Sequence, residues 1–126
     1  MLADRRFNFL RRLFTPQTVF LEAGYCELAL RAASWVDRVY AIELPPSIVR
    51  SIVPPINMRL EHAVPDATVH VAYSGANCDL PRVYKALAPG GVFFSAEPIT
   101  PGLLSELGFS RIRIPWFKPF AIMAFK

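Results

Sequence analysis

Two acids and one glycine, Glu22, Gly24 and Glu43, are spaced so that the chain could hold a nucleotide. Glu22 ends the short apolar run Thr18-Val19-Phe20-Leu21, which is rich in β-formers. Gly24 follows where the backbone must turn sharply to enter a helix. Val39-Tyr40-Ala41-Ile42 is the next apolar run, and Glu43 stands at its carboxyl end. A carboxylate about 20 residues beyond a glycine turn, closing the next strand, is placed to accept hydrogen bonds from ribose hydroxyls. Such turns usually carry two or three glycines, whereas here Tyr25, Cys26 and Glu27 follow the single one. Glycine is used there so that backbone can approach a ligand, and these side chains threaten that space.

Two roles are open to Glu22: a cofactor ligand, or an acid favoured by the dipole at a helix N-terminus. Glu43 closes a buried run, where an acid without a polar partner is costly. Of the two histidines, His70 falls within an alternating strand and reads as structural, while His62 falls at a strand end beside the cleft. The sequence offers no nucleophile with a paired base and no metal-ligating cluster. Cys26 and Cys78 are too few and too scattered for a disulfide framework or a zinc site, which leaves buried free thiols in a reducing compartment.

The elements that must position these residues follow from the apolar pattern. Residues 4–14 place Phe7, Leu10 and Phe14 on one helical stripe with Leu13 beside it, and put Arg5, Arg11 and Arg12 opposite. Residues 1–17 therefore read as a basic amphipathic helix, packed as a lid against a sheet edge or touching an anion such as phospholipid. Residues 18–126 read as the main domain. Cys26–Trp35 is an Ala/Leu-rich helix, and Leu44-Pro45-Pro46 breaks the chain before a helix at 47–53. Strands are expected at 57–61 and 68–73, with no room between them for a full crossover helix. A short helix at 80–87 leads to the turn Ala88-Pro89-Gly90-Gly91 and a buried strand at 92–96. Thr100-Pro101 opens a last helix, which Gly108 ends. The strands at 109–114 and 120–125 are joined too tightly for a crossover and must be antiparallel. Alternation of this kind demands a mostly parallel seven-stranded sheet in a three-layer, Rossmann-like α/β domain.

Composition sets further bounds. At 126 residues the chain is one domain with a single sizeable core. A hydrophobic fraction of 53% and a charged fraction of 19% leave apolar surface for a protein partner or a homo-oligomer. The formal charge of +4 is concentrated in Arg5, Arg6, Arg11 and Arg12. Nucleic-acid binding has only that charge in its favour, and a solvated helix face accounts for it as well. No apolar run reaches the ~20 residues that cross a bilayer, and no apolar segment follows the N-terminal charges, so a cytoplasmic location is expected.

The stretches FLEAGYCELALRAA, VYAIE, VHVAYSGANCDLPRVYKALAPGGVFFSAEP and LLSELGFSRIRI, in that order, resemble the class I S-adenosylmethionine-dependent methyltransferases. The nearest flavour is their small-molecule, type 11 group, here shortened and with a degenerate glycine-rich loop. The likeness covers nearly everything after residue 17. It implies S-adenosylmethionine as cofactor, with Glu22 beneath its methionine end and the Ala23-Gly24-Tyr25 turn beside it. It further implies Glu43 on the ribose, Leu44 on the adenine, and His62 or Glu61 with Ala63 near the adenine amino group. Tyr73 and Ser74 would line the gap between cofactor and a small-molecule or lipid-like acceptor. Methyl transfer needs mainly alignment, so the lack of a catalytic constellation does not count against it. The alternative is a domain of this fold that has lost catalysis and serves as a binding or assembly subunit. That alternative would use the aromatic segment Trp116, Phe117 and Phe120 as its contact surface.

Overall fold

The apolar runs become strands and the segments between them become short helices. The computed structural model describes residues 2–60, 63–115 and 119–126. In chain order the elements are α1 (Leu2–Arg11), β1 (Val19–Ala23), α2 (Glu27–Ala32), β2 (Arg38–Ile42), α3 (Pro46–Ser51) and β3 (Met58–Leu60). They continue as β4 (Val69–Ser74), α4 (Leu80–Ala86), β5 (Leu87–Ser95), α5 (Pro101–Leu107), β6 (Ser110–Arg113) and β7 (Ile122–Phe125). The seven strands form one sheet in the order β3-β2-β1-β4-β5-β7-β6. Strands β1 to β5 pair in parallel, and β7 lies antiparallel between β5 and β6. The expected mostly parallel sheet with a closing antiparallel hairpin is therefore present. Its edges, β3 and β6, are only three and four residues long.

Successive strand residues point to opposite faces, which splits the core in two. Phe20, Val39, Ala41, Val71 and Phe94 pack under α1, α2 and α3. Leu21, Tyr40, Ile42, Ala72 and Phe93 pack under α4 and α5. Burial on both faces is why these strands are continuous apolar runs in the sequence.

Helix α1 does not sit at a sheet edge. Phe9 lies 5.5 Å from the Phe94 ring and 5.4 Å from Phe120, and Phe14 lies 5.3 Å from Phe20, all edge to face. Aromatic rings of β1 and β5 give the helix more to bury against than the short edges do, so it covers the middle of the sheet. Phe120 is consequently 1% exposed and belongs to the core rather than to a contact surface. Trp116 and Phe117 lie outside the described residues.

Three local expectations shift. Helix α2 ends at Ala32 rather than Trp35, where the Asn57 amide donates to the Ala33 and Val36 carbonyls and holds the chain in turns. Ala88–Gly91 is not a free turn but the first part of β5, bulged from the β4 ladder and tied to the C-terminus by Gly90–Lys126 and Lys126–Gly91 backbone bonds. Helix α3 stops at Ser51 because Ile52 is already extended. Between β3 and β4 no helix occurs among the described residues, as the short spacing required. Helix α4 is capped by Asp79, whose side chain accepts from the Arg82 N–H at 3.2 Å. Helix α5 closes on Gly108 in the left-handed conformation, φ +112°, where a methyl group would also meet the Tyr84 hydroxyl.

Candidate functional site

The carboxyl ends of β1, β2, β4 and β5 form one rim, the edge at which open α/β sheets bind ligands. Ala23 pairs with Ile42, so Gly24 and Glu43 are the next residues out on neighbouring strands. Both take left-handed backbone conformations, φ +93° at Gly24 and +55° at Glu43. The Gly24 N–H donates to the Ile42 carbonyl at 2.9 Å, and apart from its two chain neighbours nothing lies within 4 Å of where a Cβ would stand. The turn is thus open on its outer side. The adjoining Tyr25 side chain is half exposed.

Glu22 is 2% exposed, and its Oε1 accepts the Ala29 N–H at 2.8 Å. Ala29 is in the first turn of α2, and Cys26, which precedes that helix, makes no side-chain cap of its own. Glu22 therefore caps α2 from the neighbouring strand and satisfies a free helix N–H. Burial pushes its carboxyl up to about 7, against the pull of the Ala29 and Leu28 amides, with Glu27 adding to the rise. Near neutral pH it can gain or lose a proton, or be drawn into the charged form by a cation.

A cavity of about 190 Å³ opens beside it, lined by Arg6, Glu22, Tyr25, Glu27, Tyr73 and Gly75 among others. Tyr73 is buried, and its hydroxyl accepts from Arg6 Nη1 at 3.1 Å, while Arg6 Nε donates to the Pro119 carbonyl at 3.1 Å. Burial raises the Tyr73 phenol and the nearby guanidinium opposes the rise. Arg6 is the site residue the sequence reading missed. Its signal was its position on the flank of the Phe7–Leu10–Phe14 stripe rather than opposite it, which makes an arginine half-buried.

Glu43 points elsewhere. Both its carboxylate oxygens accept the Asp79 N–H at 3.2 Å, so the loop after β4 reaches across the end of β1 to β2. Leu44 is buried in the core under α1–α3. Ala23 is buried on the opposite face. Ser74 is fully buried, its hydroxyl bonded to the Ala76 carbonyl and shared with the Cys78 thiol, whose ionisation burial disfavours. Ala63 is exposed beyond β3, and Glu61 and His62 lie outside the described residues. His70 accepts the Val19 N–H on Nδ1 at 2.9 Å, a strand-joining role. A second cavity of about 320 Å³ adjoins the ends of β4 and β5, lined by Asn77, Cys78, Ser95, Glu97 and Leu103 among others. A third, of about 450 Å³, lies between α2 and α3 and shares Tyr25 and Glu27 with the first.

The rim thus brings Glu22, Tyr25 and Tyr73 together around one cavity, with Arg6 from α1. Among the described residues no group of three or more His, Cys, Asp or Glu side chains could hold a metal ion. No helix among them is long and apolar enough to cross a membrane.

No family model matches the sequence, and no curated protein matches it. Solved structures do resemble it. A possible exported protein of Bordetella parapertussis superposes with a TM-score of 0.68 at 14% identity, over 98% of this chain and 66% of the other. An S-adenosylmethionine-dependent methyltransferase of Mesorhizobium loti gives 0.59 at 17% identity, over 75% of this chain and 52% of the other. One from Archaeoglobus fulgidus gives 0.65 at 13% identity, over 98% of this chain and 94% of the other. The chain thus spans 66% and 52% of the first two structures and nearly the whole of the third. At such identities the likeness is one of fold, and the fold is that of the S-adenosylmethionine-dependent methyltransferases.

Proposed function

We propose that the chain binds S-adenosylmethionine at the β1–β2–β4 rim and transfers its methyl group to a small-molecule or lipid-like acceptor. The observation that carries this reading is the pairing of Arg6 with Glu22 and Glu27 around one cavity beside the open Gly24 turn. An amino-acid end carries a carboxylate and an ammonium, and this cavity offers a cation for one and acids for the other. The cofactor, when bound, supplies a methyl group already activated on a sulfonium. The chain's own residues then have to bind, orient and exclude water. Glu43 accepts a single N–H, and a carboxylate has about four lone-pair sites, so it keeps capacity for ribose hydroxyls. The cavity of about 190 Å³ is below the roughly 300–1,000 Å³ of ligand pockets. Rotation of the half-exposed Tyr25, which also lines the cavity between α2 and α3, would join the two. The cavity by Ser95 and Glu97 falls within that range and is the place for an acceptor.

Calorimetric titration with S-adenosylhomocysteine tests this. Binding is expected, and Arg6→Met should weaken it about tenfold through loss of a charge-assisted contact. Absence of any heat with the unaltered protein at millimolar ligand ends the reading. A second reading, a domain of this fold that no longer catalyses and serves as a binding subunit, draws on one observation: the Asp79 N–H already engages Glu43. It predicts a protein partner in pull-downs that Glu43→Ala retains.

A further inference from the structure

One face of the molecule combines the exposed arginines Arg11, Arg12 and Arg50 with the fully exposed aliphatic side chains of Val53 and Ile56. None of them lines any of the three cavities at the rim and helices. Of nine exposed large apolar residues among the described ones, seven lie within residues 2–56, on or beside α1, α2 and α3. Val53 and Ile56 are the extreme, 93% and 95% exposed, at the two ends of Val53-Pro54-Pro55-Ile56. Paired prolines fix the backbone between them, so the two side chains are held out with little freedom left to lose on binding. The corner is anchored from below: Asn57 donates to the Ala33, Val36 and Asp37 carbonyls at the end of α2. Trp35, half exposed in that same turn, carries the Arg11 guanidinium 5.1 Å from its ring. Arg12 follows Arg11 and Arg50 lies three residues before Val53, both exposed. Over residues 2–60, six exposed arginines face three exposed acids, and one of those, Asp4, is bound to Arg31 at 2.9 Å. Lysine is absent from that stretch. Arginine forks match phosphate oxygens.

We propose that this corner docks the protein on an anionic lipid bilayer, with Val53, Ile56 and Trp35 entering the headgroup boundary and Arg11, Arg12 and Arg50 on lipid phosphates. The chemistry separates this from other anions. Valine and isoleucine at a protruding corner have neither a π-face for a base nor a hydrogen bond for a phosphate, and only a hydrocarbon phase rewards them. Aromatic and basic residues on the fringe are the usual company of such insertions. The proposal stands whether or not the rim is catalytically active.

Co-sedimentation with phosphatidylcholine vesicles, with and without phosphatidylserine, tests it. The intact protein should sediment with the anionic vesicles only, and added salt should release much of it. The double variant Val53→Asp/Ile56→Asp should lose about tenfold or more of that partition, from lost apolar insertion and added repulsion. Its thermal midpoint should not fall, because neither side chain is packed. Failure of the intact protein to sediment with anionic vesicles overturns the proposal, as does equal partition of the double variant. A concentration-dependent dimer that the double variant abolishes, without vesicle binding, overturns it in favour of a second copy as the occupant.

Discussion

The ends of β1 and β2 begin alike and are used differently. An acid stands within the end of β1 and just past the end of β2, and each strand is followed by a left-handed residue, Gly24 after β1 and Glu43 itself after β2. At β1 the acid lies one turn of the pleat inside, buried, and the left-handed position is a glycine with open space beside it. At β2 the acid itself occupies the left-handed position, where a non-glycine residue is strained, and its carboxylate is held by the Asp79 N–H. Burial therefore makes Glu22 a proton-sensitive cap, while the half-buried Glu43 is a hydrogen-bond acceptor that anchors a loop. The same residue type does two jobs because its depth in the sheet differs by two positions.

Glu22→Gln should produce the largest effect and would break the comparison if it did not. The folded carboxyl titrates at about 7 against an ordinary 4.5, so the folded protein keeps a proton that the unfolded chain has released between those values. Its stabilising contribution is complete below the ordinary value and is lost as pH rises through about 7. Glutamine still accepts the Ala29 N–H but cannot ionise. Urea unfolding should show the variant gaining up to about 3 kcal/mol over the unaltered protein at about pH 8, with the gap closing in acid. A gap that does not change with pH refutes the role given to Glu22.

Gly24→Ala comes next. Space is available for the methyl group, so the cost is conformational alone, about 1–2 kcal/mol at this positive φ. A larger loss in the unfolding midpoint would mean that the turn is closed rather than open. The smallest effect is expected from Glu43→Asn. Asparagine tolerates the left-handed region better than glutamate, which offsets the lost bond to Asp79 and keeps the change within about 1 kcal/mol. A loss well beyond that would show that the Asp79 contact holds the rim together.

Most of the fold could be read from the chain. Runs such as Val39–Ile42 and Val92–Phe94 are strands because both sheet faces are covered, and Gly108 ends α5 because its conformation suits glycine. The hairpin of β6 and β7 followed from a connection too short for anything else. What could not be read depends on contacts between distant residues. Arg6 meets Tyr73 and Pro119, which are far away in sequence: its place on the flank of the α1 stripe marks it as half-buried, but no local pattern names those partners. Asp79 finding Glu43 is of the same kind. Glu22 as a helix cap was one of two roles left open, and choosing between them required knowing which N–H lay opposite. Ala88–Gly91 misled because Pro and Gly mark turns locally, whereas the Lys126 backbone recruits them into the sheet.

The short edges of the sheet bear on how the protein behaves when concentrated. An unpaired strand is a template for another chain, and long flat edges invite fibrous stacking. Here β3 presents three residues with the exposed Arg59 at their centre. At the other side, β6 breaks register against β7 and carries Arg111 in a left-handed conformation, φ +49°, with Arg113 nearby. Both edges are thus charged, brief and, on one side, kinked. Growth by strand addition is therefore disfavoured at either end, even for so apolar a chain.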